Sequence, residues 1–309
     1  MPSPKDQVDA AHRAVLALPG GELATLVVTG KDRISWLNGL VTCDLVKWAP
    51  GDARYGLVVS RSGRVLADPI LVADGEIAIA VVAADRVGVL REHLDHYLVM
   101  EDAEIAGGID AFEAWLLHGP ASEGVLAAAR AAGAAGGALD RTGLGGAMVL
   151  VPADQAGPVR AAVEAAVRAA GGVVGDADGW EALRLERGVP RFGPDFDDKT
   201  YPQEASLEKA AVSFDKGCYL GQEVVCMLEM RGHVKRKLVS IVLDGTEAPP
   251  RGAAVADESG AAVGEVTSAA LSPTLGVPIA LAMVKRAQAV VGAEVVVGGS
   301  HAKVVDRPA

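Results

Sequence analysis

An α+β fold is predicted, a mixed sheet covered by helices and followed by a small β-barrel, on three observations. Strand-like and helix-like segments alternate through the first third of the chain. The middle turns to alanine and glycine at helical spacing. From Val234 onward only short strands split by glycine and proline turns remain.

The stretches ELATLVVTG and YGLVVS are rich in β-branched residues and end at glycine or serine, while GRVLADPILV and EIAIAVV repeat the pattern around an Asp74-Gly75 turn. Between them, KDRISWLNGLV places Ile34, Leu37 and Val41 on one helical face, and DRVGVLREHLDHYLVM does the same with Val87, Leu90, Leu94 and Leu98. From about Gly119, SEGVLAAARAAG and QAGPVRAAVEAAVRAAGG read as exposed helices around a short strand, AMVLVP, alanine being a strong helix former. A helix through Trp180, Leu183 and Arg187 breaks at Gly188 and Pro190. KLVSIVL, AAVADESGAAVGEVTSAA, IALAMVKR and AEVVVGG then supply the barrel, so the domains are expected at 1–232, with two interleaved subdomains, and 233–309.

Composition limits the function. No apolar run reaches the ~20 residues that cross a bilayer, and the amino terminus lacks the order of a secretory signal, so a soluble, cytoplasmic protein is expected. Three cysteines in 309 residues fit free thiols in a reducing compartment. A formal net charge of −11 gives no general attraction for nucleic acid or anionic lipid. RGHVKRK at 231–237 is the densest basic patch, and a solvated turn explains it more simply than a nucleic-acid contact.

Two stretches carry chemistry. In DKGCYLGQEVV, Cys218 lies just before a helix beginning near Gly221, where unpaired N–H groups favour a thiolate and Lys216 can add to the field. Gly217 and Gly221 are read as positions of positive φ that let a ligand approach. The plainer alternative is a buried, inert cysteine. Zinc is disfavoured because no close second cysteine or histidine completes a tetrahedral set. Upstream, Glu186 at its helix end is either a surface partner of Arg184 and Arg187 or a cavity carboxylate matched to an amidine-like donor pair.

Together these stretches resemble the glycine-cleavage T-protein (aminomethyltransferase) superfamily, and within it the YgfZ-like branch of folate-binding proteins linked to iron-sulfur cluster maintenance. WLNGLVTCDLVKWAPGDARYGLVVSRSGRVLADPIL, LRLERGVPRFGPDFDDKTYPQEASL and SFDKGCYLGQEVV carry the likeness, the last holding the K-G-C-Y-x-G-Q-E signature of that branch. The resemblance implies a three-domain cloverleaf around a central tetrahydrofolate cleft, with the barrel as one leaf. It also implies Glu186 as pterin ligand, Tyr55 as a pocket wall, Cys218 as a functional thiol assisted by Lys216, and Gly217, Tyr219, Gly221, Gln222, Glu223 and Arg231 as further folate-binding residues. Asp68 stands where relatives carry a catalytic aspartate pair, but Ala67 occupies the other position, which weakens one-carbon transfer. Met227 replaces a common arginine, and Cys226 beside it is a distant resolving partner for Cys218.

Three functions are implied: a monomeric folate-dependent factor acting with cluster-assembly proteins or iron-sulfur client enzymes, tRNA-thiolating ones among them; an aminomethyltransferase acting on tetrahydrofolate; or a scaffold that has lost its ligand.

Overall fold

The computed structural model describes residues 1–106, 110–307 and 309. Two five-stranded sheets and a closed six-stranded barrel make up its β structure, together with a small two-stranded ribbon of Val58–Val59 and Val65–Ala67. The first sheet runs Ala53–Tyr55, Ile70–Asp74, Ile77–Ala83, Leu23–Thr29, Glu104–Ala106, with every neighbouring pair antiparallel. Its hairpin turns at Asp74 and Gly75, where Asp74 pairs with Ile77 and Gly75 adopts φ 55°. The predicted Asp-Gly turn is therefore present.

The second sheet runs Ala135–Ala138, Gly146–Pro152, Phe112–His118, Leu16–Pro19, Val173–Val174. Helices Ser122–Ala131 and Ala156–Ala169 cover it with Val125, Leu126, Ala129, Val159, Val163 and Val167, all buried. These helices were expected to be exposed; each in fact packs one face, chiefly valine and leucine, on the sheet and leaves most of its alanines outside. A parallel bridge between Asp52 and Ala138 joins the two sheets, and a shared core from Tyr55, Val72, Met148 and Leu150 runs between them.

The predicted first helix is shorter than its pattern, Arg33–Asn38, because Gly39 ends it and Val41 turns away to bridge Val58. Helix Val87–His96 buries Leu90 and Leu94 as expected, with Leu98 beyond its end.

The barrel closes in the order Arg236–Leu243, Pro278–Lys285, Ala262–Leu271, Ala254–Ala256, Glu294–Val297, Ser300–Val305, back to the first strand. It is clasped to helix Ala177–Glu186 by Arg184. That guanidinium is fully buried and donates to Asp195 (2.8 Å) and Ser268 (2.9 Å), while Thr267 and Ser268 both donate to Asp195 at 2.7 Å. Among the described residues, no helix is long and apolar enough to cross a membrane.

Candidate functional site

The signature loop is anchored by an interior lysine. Lys216 is buried and its ammonium donates to the carbonyls of Asn38 (2.7 Å), Val41 (2.8 Å) and Cys43 (2.6 Å). These carbonyls lie where helix Arg33–Asn38 gives way to extended chain, so they have no helical donors of their own. Thr42 adds a second staple, donating its hydroxyl to Ala211 and accepting from the Leu57 amide, and the amides of Ser213 and Leu220 close the contact on Thr42 and Gly39. Burial lowers Lys216 to about 8, partly offset by Cys43 and Asp44. Burial likewise pushes the Cys43 thiol up to about 11.

This placement corrects two expectations. Lys216 serves three carbonyls, because a cation removed from water must find acceptors, and so it is not the cation expected to act on Cys218. Gly217 has no positive φ and nothing within 4 Å of where a Cβ would stand, so no close approach requires glycine there. Gly221 fits its expectation: it caps helix Gln222–Met230 at φ 78°, and a Cβ would stand 2.4 Å from the Ser60 carbonyl oxygen. The Cys218 thiol is exposed, which excludes the buried, inert alternative; Cys226 is half-buried, and all three cysteines are free. Tyr219 is buried with its ring 5.2 Å from the Lys216 ammonium and its hydroxyl without a partner.

A second constellation lies where the two sheets meet. Tyr55, at the end of edge strand Ala53–Tyr55, donates its hydroxyl to Asp68 (3.0 Å), which sits between Val65–Ala67 and Ile70–Asp74. The guanidinium carbon of Arg141 lies 3.9 Å from the Tyr55 ring centroid. Burial raises the Asp68 carboxyl above its ordinary range, with Arg141 and the Tyr55 hydroxyl opposing the rise. Burial and the neighbouring Asp68 both raise the Tyr55 phenol.

Tyr55 and Arg141 line a cleft of about 950 Å³, which is bounded by the first sheet, the Leu139–Arg141 turn, residues 187–190 and 205–213, and the barrel. Its lining mixes cations, Arg187, Lys209, Lys237 and Arg307, with the acids Asp44, Asp140, Glu208 and Asp306, and Lys237 is paired with Glu208 at 2.7 Å. That volume falls at the upper end of ordinary small-molecule sites.

Glu186, read as a pterin ligand, is not among the residues lining this cleft. It is fully buried, and its carboxylate accepts from the Ser272 hydroxyl, from the Thr274 amide (2.9 Å) and from the Thr274 hydroxyl (2.8 Å). The barrel has taken both oxygens. The surface pair with Arg184 and Arg187 is equally absent, since Arg184 turns to Asp195 and Glu181 and Arg187 to the carbonyls of Thr142 and Ala309. Asp68, Lys216, Cys218, Tyr219, Gln222, Glu223 and Arg231 are also outside the cleft lining, and Glu223 and Arg231 are exposed. The structure thus brings Tyr55 and Asp68 together and sets the signature loop apart from the cleft.

Two residues escaped the sequence reading. Arg141 stands in a turn, DRTG, whose pattern signals only a turn. His118 is buried, stacked on Trp180 with centroids 4.6 Å apart, and both its ring nitrogens lack partners; burial and Arg141 lower it to about 3. Among the described residues, no group of three or more His, Cys, Asp or Glu side chains could hold a metal ion.

Comparison with known proteins agrees with this architecture. Residues 3–136 match the GCVT N-terminal domain, and residues 236–309 match the glycine cleavage T-protein C-terminal barrel domain. An aminomethyltransferase of Streptomyces coelicolor is 31% identical over 305 residues, 90% of this chain and 81% of the relative. One from a Nostoc species is 30% identical across 100% of this chain and 89% of its own length. The crystal structure of the glycine cleavage system aminomethyltransferase T from Bartonella henselae superposes with a TM-score of 0.82 at 21% identity, covering 99% of this chain and 89% of that one, a likeness of fold. With relatives this similar over nearly its full length, the chain belongs to the aminomethyltransferase family of glycine-cleavage T-proteins.

Proposed function

We propose that this protein binds a reduced folate, tetrahydrofolate or a derivative, in the central cleft and transfers a one-carbon unit to it from an aminomethyl donor. The observation that carries the reading is the Tyr55–Asp68 pair, an enclosed carboxyl held by a phenol that lines the cleft. The relatives named aminomethyltransferase support it. The cleft suits a folate in size, and Arg187, Lys209 and Arg307 in its lining offer partners for the ligand's carboxylates. Asp68, which stands behind the lining residue Tyr55, would act through its phenol to orient or relieve the proton at the reacting nitrogen. Incubation of the purified protein with aminomethylated lipoyl carrier protein and tetrahydrofolate is expected to form methylene-tetrahydrofolate, and Asp68→Asn is expected to lower turnover at least 100-fold. Absence of product in the wild-type protein overturns the reading.

One observation favours a second reading. The solvent-facing Cys218 in its K-G-C-Y-L-G-Q-E context, with Ala67 beside Asp68, supports assignment to the YgfZ-like branch. There a cytoplasmic monomer would support iron-sulfur cluster assembly or repair in client enzymes, tRNA-thiolating ones among them, with folate bound but not turned over. In that case a Cys218→Ser strain loses client activity while the variant protein keeps wild-type stability. Unchanged client activity removes this reading.

A further inference from the structure

Arg141 has a position that structural needs do not account for. Among the described residues no hydrogen bond or ion pair engages its guanidinium, although arginine carries five N–H donors. The side chain is half-buried, lines the cleft, and lies over the ring of the residue whose hydroxyl holds Asp68. A cation over an aromatic face fixes the plane of that ring, and the phenol in turn fixes the carboxyl. The result is a relay of three side chains from three separate segments: a turn of the second sheet, an edge strand of the first, and the link between Val65–Ala67 and Ile70–Asp74.

We infer that Arg141 is a positioning residue that holds Asp68 in its ionised, Tyr55-bonded form through the face of the Tyr55 ring. The groups that bear on Asp68 are Tyr55 from the edge strand, Arg141 from its turn and Asp85 from the turn Ala84–Arg86; Asp140 and His118 flank Arg141 itself. Arg141 is the one cation in this set. Burial and Asp85 favour the neutral carboxyl, and Arg141 opposes both. The inference rests on the one-carbon-transfer reading for its chemical purpose, since a carboxylate is what a reacting amine nitrogen requires beside it. The electrostatic relation does not depend on that reading.

The test is a carbon-13 titration of the side-chain carboxyl groups in the full chain, with Asp68→Asn identifying the signal. Arg141→Gln is expected to raise the Asp68 midpoint by about one pH unit, the low end of what a neighbouring opposite charge does. Arg141→Lys, which keeps the charge, is expected to stay near wild type. Should Arg141→Gln not fold, Arg141→Met keeps the aliphatic stem over the ring and serves as the neutral variant. A midpoint unmoved by the neutral variant, or moved as far by Arg141→Lys, overturns the inference. In the transfer assay, the acid limb of kcat/KM is expected to move to higher pH with the midpoint. A protein that forms no methylene-tetrahydrofolate loses the proposed function, while the titration still decides the role of Arg141.

Discussion

His118 shows how a single interior side chain links structure to pH. Its neutral ring stacks on Trp180 with neither nitrogen bonded, so folding excludes the proton that the unfolded chain accepts. The folded value is lowered to about 3 from 6.5. Stability is therefore complete above about pH 6.5 and is lost as pH falls through the window toward 3, because the unfolded state binds the extra proton there. The loss amounts to about 1.4 kcal/mol per pH unit. Urea denaturation at pH 6.5 and pH 5 is expected to show about 2 kcal/mol less stability at the lower pH from this group, a difference that His118→Phe removes. Gly221 makes a sharper prediction. Its positive φ and the Ser60 carbonyl facing it leave no room for a methyl group, so Gly221→Ala is expected to cost at least ~1 kcal/mol by the same measurement.

At the scale of the element, the clasp between helix Ala177–Glu186 and the barrel is an interior ion pair with all its oxygens served by hydroxyls or guanidinium. Asp195→Ala leaves Arg184 paired with Glu181 alone and takes the acceptor from the Thr267 and Ser268 hydroxyls, and it is expected to destabilise the protein by about 1 to 3 kcal/mol in urea. This helix also marks the limit of sequence reading. Its existence, its break near Gly188 and the hydrophobic periods of the barrel strands were legible, because period and turn chemistry are local properties of the chain. The destination of Glu186 was not, since nothing near residue 186 announces Ser272 and Thr274 on a barrel loop. The same holds for Lys216, whose acceptors are carbonyls and so leave no mark in side-chain identity, and for Arg141, whose partner is the face of a ring. Tyr55 and Asp68 were found through family likeness, and their mutual hydrogen bond came from the fold. The alanine-rich helices were read as exposed because their many surface alanines mask the valines and leucine, spaced at helical intervals, that pack on the sheet.

For the whole molecule, all four tryptophans, Trp36, Trp48, Trp115 and Trp180, precede the barrel. Fluorescence therefore reports the two sheets and their helices, while circular dichroism also includes the barrel. If the Arg184–Asp195 and Glu186 contacts couple the parts, the two signals are expected to change together in one transition, and Asp195→Ala is expected to separate them. A saturating folate raises the melting temperature of wild-type protein under the proposed function, with about 2.7 kcal/mol added at 100 times the dissociation constant.

The Lys216 ammonium joins its carbonyl at Asn38 across 178 positions of sequence. A chain emerging from the ribosome must wait until residue 216 has been made before the stretch around residue 40 receives this interior cation. A polypeptide cut short before that lysine thus lacks the donor shared by three backbone oxygens, and the segment bearing the surface sulfhydryl cannot dock until both regions have been made.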